Sequence, residues 1–510
     1  MTSSIDVAKL LAMLEPARMD ASHREECQED TRADIMAVVK EWANNTESLA
    51  NIFWLRGLAG SGKSTLATTL ANYFREAGRL GAFLFFNRDE QSEPATILGT
   101  MAYLIGTTYP KAGAEISNAL KNWANFRSSP LRVQFQKLLV DPLSTDGIFD
   151  KTQRPIVILD ALDESGTSAQ RKRLLEIFVQ YCAILPFRIF ITSRSERDIF
   201  SALGRCDHVH TYELSITSVA NGRDIDSYLR RRLKCIRENA PHLGLGDDWP
   251  NENDVHKLVE RAAGLFVWAS TALDFIGEYD PRESMKMLLE KDPQADAERA
   301  IDDLYKIALE NAGNWKNRSF VADFRAVIGL VLVARRPLSH SAIDSLLRSL
   351  TKTAKSCLHT ISYIGCVLQA QESKVVRFLH PSFADFLTDI TRCGREYWYF
   401  DQAQYNTLLA HQCLQHLSDT LKYNMCNMTL SIPLENQSLT EDMTYACIFW
   451  IDHVCAIEEP NDIITGLVDD FLRRHLLHWF EAMSILRRSR DTIALLDRLL
   501  VWTKVSLLVS

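Results

Sequence analysis

The feature that most constrains this chain is a glycine-rich loop between an apolar run and an amphipathic run. Its residues are Gly57, Leu58, Ala59, Gly60, Ser61, Gly62, Lys63, Ser64 and Thr65. They match the whole pattern G-x-x-x-x-G-K-[ST], with a strand predicted before the loop and a helix predicted over 64–75 after it. In that context backbone N–H groups converge on a polyphosphate, and the helix N-terminus adds positive potential. The spacing predicts that Lys63 reaches the β- and γ-phosphates and that the Ser64 hydroxyl binds Mg²⁺.

The surrounding pattern predicts an α/β fold. From 51 to 215 short apolar runs alternate with longer amphipathic runs, as they do in parallel strands joined by crossover helices. The predicted strands are Ile52–Leu55, Ala82–Phe86, Pro155–Asp160, Phe187–Thr192 and Val209–Leu214. Helical patterns dominate afterwards, except for an alternating strand candidate at 375–379. The predicted fold class is a P-loop NTPase with a parallel sheet core, followed by a helical lid, a winged-helix unit and a C-terminal helical region.

A second candidate site element follows the strand that ends at Asp160. A buried central strand delivers a carboxylate to the carboxyl edge of the sheet, where ligands of open α/β sheets bind. Asp160 is therefore placed to hold Mg²⁺, directly or through water. Asp163 and Glu164 come just after it, and either is placed to orient or deprotonate a water that attacks the γ-phosphate. The alternative is a solvated acidic loop after a core strand.

A third apolar run ends in Thr192, Ser193 and Arg194. A strand adjacent to the loop would bring these side chains near the γ-phosphate. Arg194 is therefore predicted to sense phosphate charge or to act as a finger across a subunit interface. A surface salt bridge after the strand is the alternative role.

Charge and cysteine usage narrow the class of protein. Lys and Arg number 57 against 65 Asp and Glu, which gives a formal net charge of -8. A protein that coats nucleic acid is normally basic, so we expect no nucleic-acid partner. The 11 cysteines are scattered without zinc spacing, as expected of reduced thiols in a cytoplasmic protein. The apolar stretch 327–334 is far shorter than the ~20 residues of a membrane-spanning helix.

Several motifs together resemble NACHT-type members of the STAND class of P-loop NTPases, and fungal members in particular. The core motifs are LDALDE at 159–164 and ITSR at 191–194. Those that narrow the resemblance are CQEDTR at 27–32, GLFVWA at 264–269, FLHPSFADFL at 378–387, YACIFWIDH at 445–453 and LLHWFEAMSIL at 476–486. The resemblance covers about residues 25 to 490 and includes a nephrocystin-3-like N-terminal domain.

The resemblance implies a domain order and one further nucleotide contact. The expected domains are a short helical lead at 1–30, a NACHT P-loop NTPase core at 31–215, a helical lid at 216–315, a winged-helix domain at 316–400 and a C-terminal helical domain at 401–510. In the family, the winged-helix histidine contacts the β-phosphate of ADP, which carries over to His380. An imidazole can donate to a phosphate oxygen, although His380 also suits a structural role at the strand-to-helix junction before Pro381.

The function implied is a signalling switch that binds ATP or ADP with Mg²⁺, with GTP as the alternative nucleotide. Slow hydrolysis would control opening and self-assembly into a homo-oligomer that engages an unknown effector protein, in fungal innate immunity, incompatibility or cell death. A non-catalytic scaffold or adaptor stabilised by nucleotide is the main alternative. A metabolic kinase or motor ATPase is disfavoured because no acceptor-binding motif is visible.

Two departures from the family pattern leave three alternatives open. Family members usually carry an N-terminal effector domain and C-terminal WD40 or ankyrin repeats, which this sequence does not show. We expect a minimal switch, a truncated gene product, or an adaptor that borrows both functions from partners.

Overall fold

A computed structural model describes most of the 510-residue chain. The described residues are 11, 13–17, 19, 24–86, 93–121, 123, 126–150, 153–204, 206–278, 280–290, 296–348, 356–369, 375–425, 439–458 and 462–509. The chain divides into two compact units, the first Met1–Leu273 with Lys291–Ala300 and the second Asp274–Glu290 with Ile301–Ser510. Much of the predicted lead at 1–30 lies outside the described residues.

The first unit is built on a five-stranded parallel sheet. Its strands are β1 (Ile52–Arg56), β2 (Leu80–Phe85), β3 (Ile156–Asp160), β4 (Arg188–Ser193) and β5 (Val209–Glu213). Their spatial order is β2-β3-β4-β1-β5, and every neighbouring pair is parallel. All five predicted strands are confirmed, each to within two residues at either end.

Helices precede, separate and follow these strands. They are α1 (Ala33–Asn44), α2 (Lys63–Glu76), α3 (Pro94–Thr108), α4 (Pro110–Lys121), α5 (Leu131–Phe135), α6 (Ser168–Tyr181), α7 (Arg197–Leu203), α8 (Val219–Asn239), α9 (Glu252–Arg261) and α10 (Phe266–Glu278). The helix predicted after the glycine-rich loop is confirmed as α2. The sequence patterns did not predict α3, α4 or α5, which lie between β2 and β3.

Both faces of the sheet are covered, which explains why the strands are almost continuously apolar. Successive side chains of a strand point to opposite faces. Ile52 and Trp54 of β1 accordingly pack in a core with α3 and α6 residues, whereas Phe53 and Leu55 pack in a second core with α1 and α2 residues. Two buried faces are typical of parallel sheets linked by crossover helices.

The strand order places three candidate segments at one edge of the sheet. β4 lies between β1 and β3, and all three strands run in the same direction. The glycine-rich loop after β1, the acids after β3 and Arg194 after β4 therefore all leave the carboxyl edge. This is the edge at which open α/β sheets bind ligands.

The elements after α10 are mainly helical, as predicted. The helices are α11 (Pro281–Glu290), α12 (Ala297–Asn311), α13 (Arg318–Val333), α14 (His340–Leu347), α15 (Cys357–Ile361), α16 (Pro381–Thr388), α17 (Ile390–Cys393), α18 (Gln402–Thr420), α19 (Glu441–Cys455), α20 (Asp462–Ile485) and α21 (Asp491–Val509). A small antiparallel sheet has the order β6-β8-β7, with β6 at Leu338–Ser339, β7 at Leu368–Gln369 and β8 at Val375–Phe378. Among the described residues, none of these helices combines the length and apolar character needed to cross a bilayer.

Candidate functional site

The glycine-rich loop turns sharply from β1 into α2. Gly60 and Gly62 have φ of 74° and 90°, in the left-handed region that favours glycine, and Gly62 is the residue directly before the helix. Gly57 relieves crowding, because a Cβ there would lie 3.2 Å from the Leu214 Cβ and would require a small shift of that residue. The glycines predicted from the pattern thus have a local structural reason at each position.

Lys63 begins α2 and folds its side chain back over the loop. Its Nζ donates to the carbonyl oxygens of Gly57 at 2.9 Å and Leu58 at 2.7 Å. Burial lowers the pKa of the Lys63 ammonium to about 8, although the nearby carboxylates of Asp163 and Asp160 act in the opposite direction. The ammonium is therefore already positioned at the loop and poorly solvated, which favours its interaction with an anion.

The loop also contains a buried polar atom that lacks a partner. The Ser61 side chain is fully buried, and its Oγ makes no hydrogen bond. Leaving a buried hydroxyl unpaired costs about 1–3 kcal/mol, which a ligand oxygen in the loop would relieve. Ser64 and Thr65 follow in the first turn of α2, where both are half-buried. These features fit a phosphate group with an associated Mg²⁺.

Asp160 lies at the end of β3 and is fully buried. Its Oδ1 accepts a hydrogen bond from the Thr192 hydroxyl at 2.5 Å, and its Oδ2 accepts one from Nη2 of Arg24 at 2.5 Å. The carboxylate predicted to hold Mg²⁺ is therefore engaged at both oxygens. Arg24 was not predicted as a site residue, because it lies in an irregular polar segment without a motif.

Asp163 and Arg194 form an ion pair across the ends of β3 and β4. Asp163 Oδ1 accepts from the Arg194 backbone N–H at 3.1 Å, and its Oδ2 lies 3.3 Å from the Arg194 Nε. The alternative role expected for Arg194 was a surface salt bridge after the strand; the salt bridge it makes here is with the buried side chain of Asp163. Asp163 and Glu164 belong to a single 3-10 turn at Leu162–Glu164, in which the Glu164 N–H donates to the Ala161 carbonyl at 2.9 Å.

These predicted charged residues are brought together around the loop. Asp163, Arg194, Asp160 and Glu164 all act electrostatically on the Lys63 ammonium. The three carboxylates raise its pKa and Arg194 lowers it. Their placement follows from the strand order, since the segments belong to three neighbouring strands.

The GLFVWA segment also touches the loop. The Val267 N–H, at the start of α10, donates to the Gly60 carbonyl at 3.1 Å. Gly264 before it has φ of 80°, and a Cβ there would lie 2.1 Å from the Ile216 carbonyl oxygen. Asn221 holds this turn by donating to both the Ile216 and Gly264 carbonyls. The tight turn explains the glycine of the motif.

His380 lies in the second unit, directly before α16. Its Nδ1 accepts from the Ser382 backbone N–H at 3.1 Å and lies 2.7 Å from the Ser382 Oγ, which is itself 2.7 Å from the buried Tyr305 hydroxyl. The capping role considered for this histidine is therefore present. Because Nδ1 accepts from the amide, the neutral ring carries its proton on Nε2.

Comparison with known proteins relates the α/β region to a described family. Residues 36–194 match the family Nephrocystin 3, N-terminal. The match runs from α1 to the Arg194 position and includes the loop and the motifs LDALDE at 159–164 and ITSR at 191–194. The predicted nephrocystin-3-like domain is thereby confirmed. No curated protein sequence matches the chain.

Three solved structures of other proteins show partial similarity to this chain. Cdc6p from Pyrobaculum aerophilum matches at 11% identity, covering 77% of this chain and 99% of that one, with a TM-score of 0.36. A Thermotoga maritima RuvB variant matches at 13% identity, covering 70% and 94%, with a TM-score of 0.27. Drosophila ORC with DNA and Cdc6 matches at 12% identity, covering 97% and 71%, with a TM-score of 0.26. Such scores do not establish a shared overall fold. The assignment of the fold class therefore rests on the parallel sheet and the glycine-rich loop of this chain.

Proposed function

We propose that this protein is a nucleotide-dependent signalling switch that binds ATP or ADP with Mg²⁺. The observation that carries the proposal is the loop itself, where a buried ammonium, an unpartnered buried hydroxyl and a helix N-terminus converge at the carboxyl edge of a parallel sheet. Lys63 would neutralise the β- and γ-phosphates, and the amides of residues 57–65 would bind their oxygens.

Mg²⁺ would neutralise phosphate charge and would be held by the Ser64 hydroxyl and Asp160. Thr192 fixes the orientation of the Asp160 carboxylate through its hydroxyl. Hydrolysis would be slow and would depend on Asp163 and Glu164 for orienting or deprotonating the attacking water. Arg194, held by Asp163, would respond to the charge of the γ-phosphate.

The switching step requires that the two nucleotide states bind the chain unequally, because equal affinity shifts no equilibrium. In the mechanism we propose, ADP is clamped by the core at 31–215, the lid at 216–315 and His380 of a winged-helix domain at 316–400. Nε2–H of His380 would donate to the β-phosphate. Exchange for ATP would release this clamp and expose a surface for homo-oligomerisation and for an effector protein.

The biological role proposed is cytoplasmic signalling of the fungal NACHT type, in innate immunity, incompatibility or cell death. It is supported by the motifs around residues 27–32, 264–269, 378–387 and 445–453. We favour adenine over guanine nucleotides, with GTP as the alternative. The family match at residues 36–194 supports the core assignment, and the remaining domains are part of the proposal.

A second candidate is a scaffold that binds nucleotide structurally and hardly turns it over. One observation favours it: Asp160 and Asp163, two of the three site carboxylates, are already paired with Arg24 and Arg194. Such pairing would slow any step that needs a free carboxylate. The two candidates share a binding site and differ in turnover rate.

The experiment that tests the switch measures particle mass by light scattering and phosphate release on the same sample. The chain is loaded with Mg²⁺-ADP or with a non-hydrolysable triphosphate. A switch gives a monomer with ADP, a larger particle with the triphosphate, and slow phosphate release with ATP. A particle of constant size without turnover supports the scaffold. Phosphate transfer to a small metabolite would instead support a kinase.

A further inference from the structure

Arg32 makes contacts that a surface arginine does not make. The residue is only 4% exposed, and its Nη2 donates to the Ser61 carbonyl at 2.6 Å. Its guanidinium carbon lies 4.6 Å from the ring centre of Phe266, at the start of α10. Its backbone N–H donates to the Asp224 carboxylate of α8 at 3.0 Å. One residue therefore joins the glycine-rich loop to two helices that follow the sheet.

The backbone conformation of Arg32 indicates that this arrangement is specifically held. Its φ of 60° lies in the left-handed region, which costs a non-glycine residue about 1–2 kcal/mol. Burial also lowers the pKa of its guanidinium, although Asp224 acts in the opposite direction. Desolvation and backbone strain are both unfavourable, so the contacts of Arg32 must offset them.

The hydrogen bond from Arg32 to the Ser61 carbonyl also orients the next backbone N–H of the loop. In a planar trans peptide the C=O and the following N–H point to opposite sides. Because Arg32 holds the Ser61 carbonyl, the Gly62 N–H is turned away from Arg32. The neighbouring Gly60 carbonyl is held in the same way by the Val267 N–H. Two consecutive peptide planes of the loop are thus fixed from outside the loop.

We propose that Arg32 is a positioning residue that preorganises the loop for polyphosphate and couples it to α8 and α10. This inference rests on the proposed nucleotide-binding function and adds a residue outside the nine-residue loop pattern. Preorganisation raises affinity because the ligand need not supply the ordering free energy of the loop. Loss of Arg32 should therefore weaken the binding of any ligand that contacts the loop through its phosphates.

The test compares wild type with Arg32→Gln, Arg32→Lys and Arg231→Gln in the full chain. Arg231 is a matched control, because its Nη2 pairs with exposed Glu29 at 3.2 Å and so joins the segment before α1 to α8 at the surface. Dissociation constants are measured for Mg²⁺-ADP and for inorganic tripolyphosphate, which lacks a base. Circular dichroism and the melting temperature without ligand report folding.

We expect Arg32→Gln to weaken both ligands about tenfold, as the loss of one charged hydrogen bond predicts. Arg32→Lys should recover part of the affinity, and Arg231→Gln should stay within about twofold of wild type. Amide hydrogen exchange at residues 60–63 should accelerate in Arg32→Gln without ligand. This readout reports the loop directly and is insensitive to the chemistry of turnover.

Two results separate failure of this inference from failure of the proposed function. If wild type binds both ligands and the Arg32 variants bind them equally well, with only a lower melting temperature, Arg32 is merely structural and the inference is overturned. If folded wild type binds neither ligand, the proposed function fails and the inference fails with it. Should Arg32→Gln not fold, the affinity and exchange of Arg32→Lys decide in the same way.

Discussion

Arg24 places its guanidinium against the carboxylate of Asp160, with Nη2 2.5 Å from Oδ2. The aspartate is fully buried, and the guanidinium carbon of Arg24 also lies 4.4 Å from the ring centre of Phe85. The Arg24 guanidinium thus contacts an oxygen of the Asp160 carboxylate, which is expected to bind Mg²⁺. Metal binding at this oxygen and the contact of Arg24 with it are therefore in competition.

The first prediction concerns this competition. Arg24→Gln should lower the Mg²⁺ concentration for half-maximal ADP binding several-fold, because the guanidinium no longer competes for Asp160. Without Mg²⁺ the same variant should lose up to about 3 kcal/mol of unfolding free energy, since a buried carboxylate is left uncompensated. Fluorescent ADP titrated at a series of Mg²⁺ concentrations measures the first effect.

Arg127→Gln is the control for that experiment. Arg127 pairs with exposed Glu15 at 2.8 Å, so its removal should change neither quantity measurably. A Mg²⁺ dependence identical in wild type and Arg24→Gln would show that Arg24 and the metal do not share Asp160.

The second prediction is a pH dependence that arises from Lys63. Its pKa falls from the ordinary 10.5 to about 8 in the folded chain without ligand. Between these values the unfolded chain binds the extra proton, so the lysine makes the ligand-free fold more stable as pH rises. Phosphates favour the ammonium, so nucleotide binding should take up protons and weaken as pH rises through about 8.

Calorimetric titration of nucleotide in two buffers with different ionisation enthalpies measures this proton uptake. At about pH 8.5 the nucleotide phosphates are fully ionised and do not contribute to the difference. An affinity that is independent of pH between about 7 and 9, with no proton uptake, would exclude the role of the Lys63 ammonium.

The third prediction separates the two acids after β3. Glu164→Gln should bind ATP as wild type does and lose most of its phosphate release, about 10²–10⁴-fold as for general-base removal. Asp163→Asn should also lower the melting temperature, because Asp163 holds Arg194 through two contacts. Phosphate release at saturating ATP, with binding checked separately, is the measurement. Unchanged turnover in Glu164→Gln would show that Glu164 is not a catalytic residue.

The sequence predicted the sheet well because its strands carry strong local signals. β3 and β4 are largely apolar runs, as burial on both faces requires, and they end in the charged Asp160 and the polar Ser193. The loop was equally predictable, since its glycines are needed for local backbone geometry at Gly60 and Gly62. The structure of such segments can be predicted from the local sequence, without knowing which residues they contact.

The contacts of Arg24 and Arg32 could not be predicted from the local sequence. Both lie in an irregular segment before α1, where no periodicity relates a side chain to its partner. Arg24 reaches an aspartate 136 positions away, and Arg32 reaches a backbone carbonyl 29 positions away. Only the fold determines which buried groups such arginines meet, although the CQEDTR resemblance did mark the second of them.

The fourth prediction concerns a buried polar network in the second unit. The Arg335 N–H donates to the Tyr445 oxygen at 3.0 Å, Tyr445 donates to Nε2 of His453 at 2.8 Å, and Nδ1–H of His453 donates to Asn406 at 3.0 Å. Tyr445→Phe leaves a buried amide and a ring nitrogen unpaired. The variant should lose about 1–3 kcal/mol of unfolding free energy, whereas Tyr423→Phe, which alters a residue 83% exposed, should lose almost none.

The same network gives the sign of a pH effect on stability. Burial lowers the pKa of His453 well below 6.5, so the folded chain keeps this histidine neutral. The unfolded chain binds a proton below about pH 6.5, so the stability contribution is complete above that pH and declines as pH falls. The melting temperature at about pH 7.5 and 5.5 checks this. A smaller pH dependence in His453→Gln is expected, and an unchanged one would assign the effect to other groups.

The most direct test of the central claim is native mass spectrometry of the purified full chain beside its Lys63→Ala variant. Wild type should carry a mass increment equal to one nucleotide, and the variant should be folded and carry no nucleotide. Fragmentation of the bound species identifies the base and the number of phosphates. A folded wild-type chain without any increment, and without thermal stabilisation by any Mg²⁺-nucleotide, would contradict the claim that residues 57–65 bind a nucleotide polyphosphate.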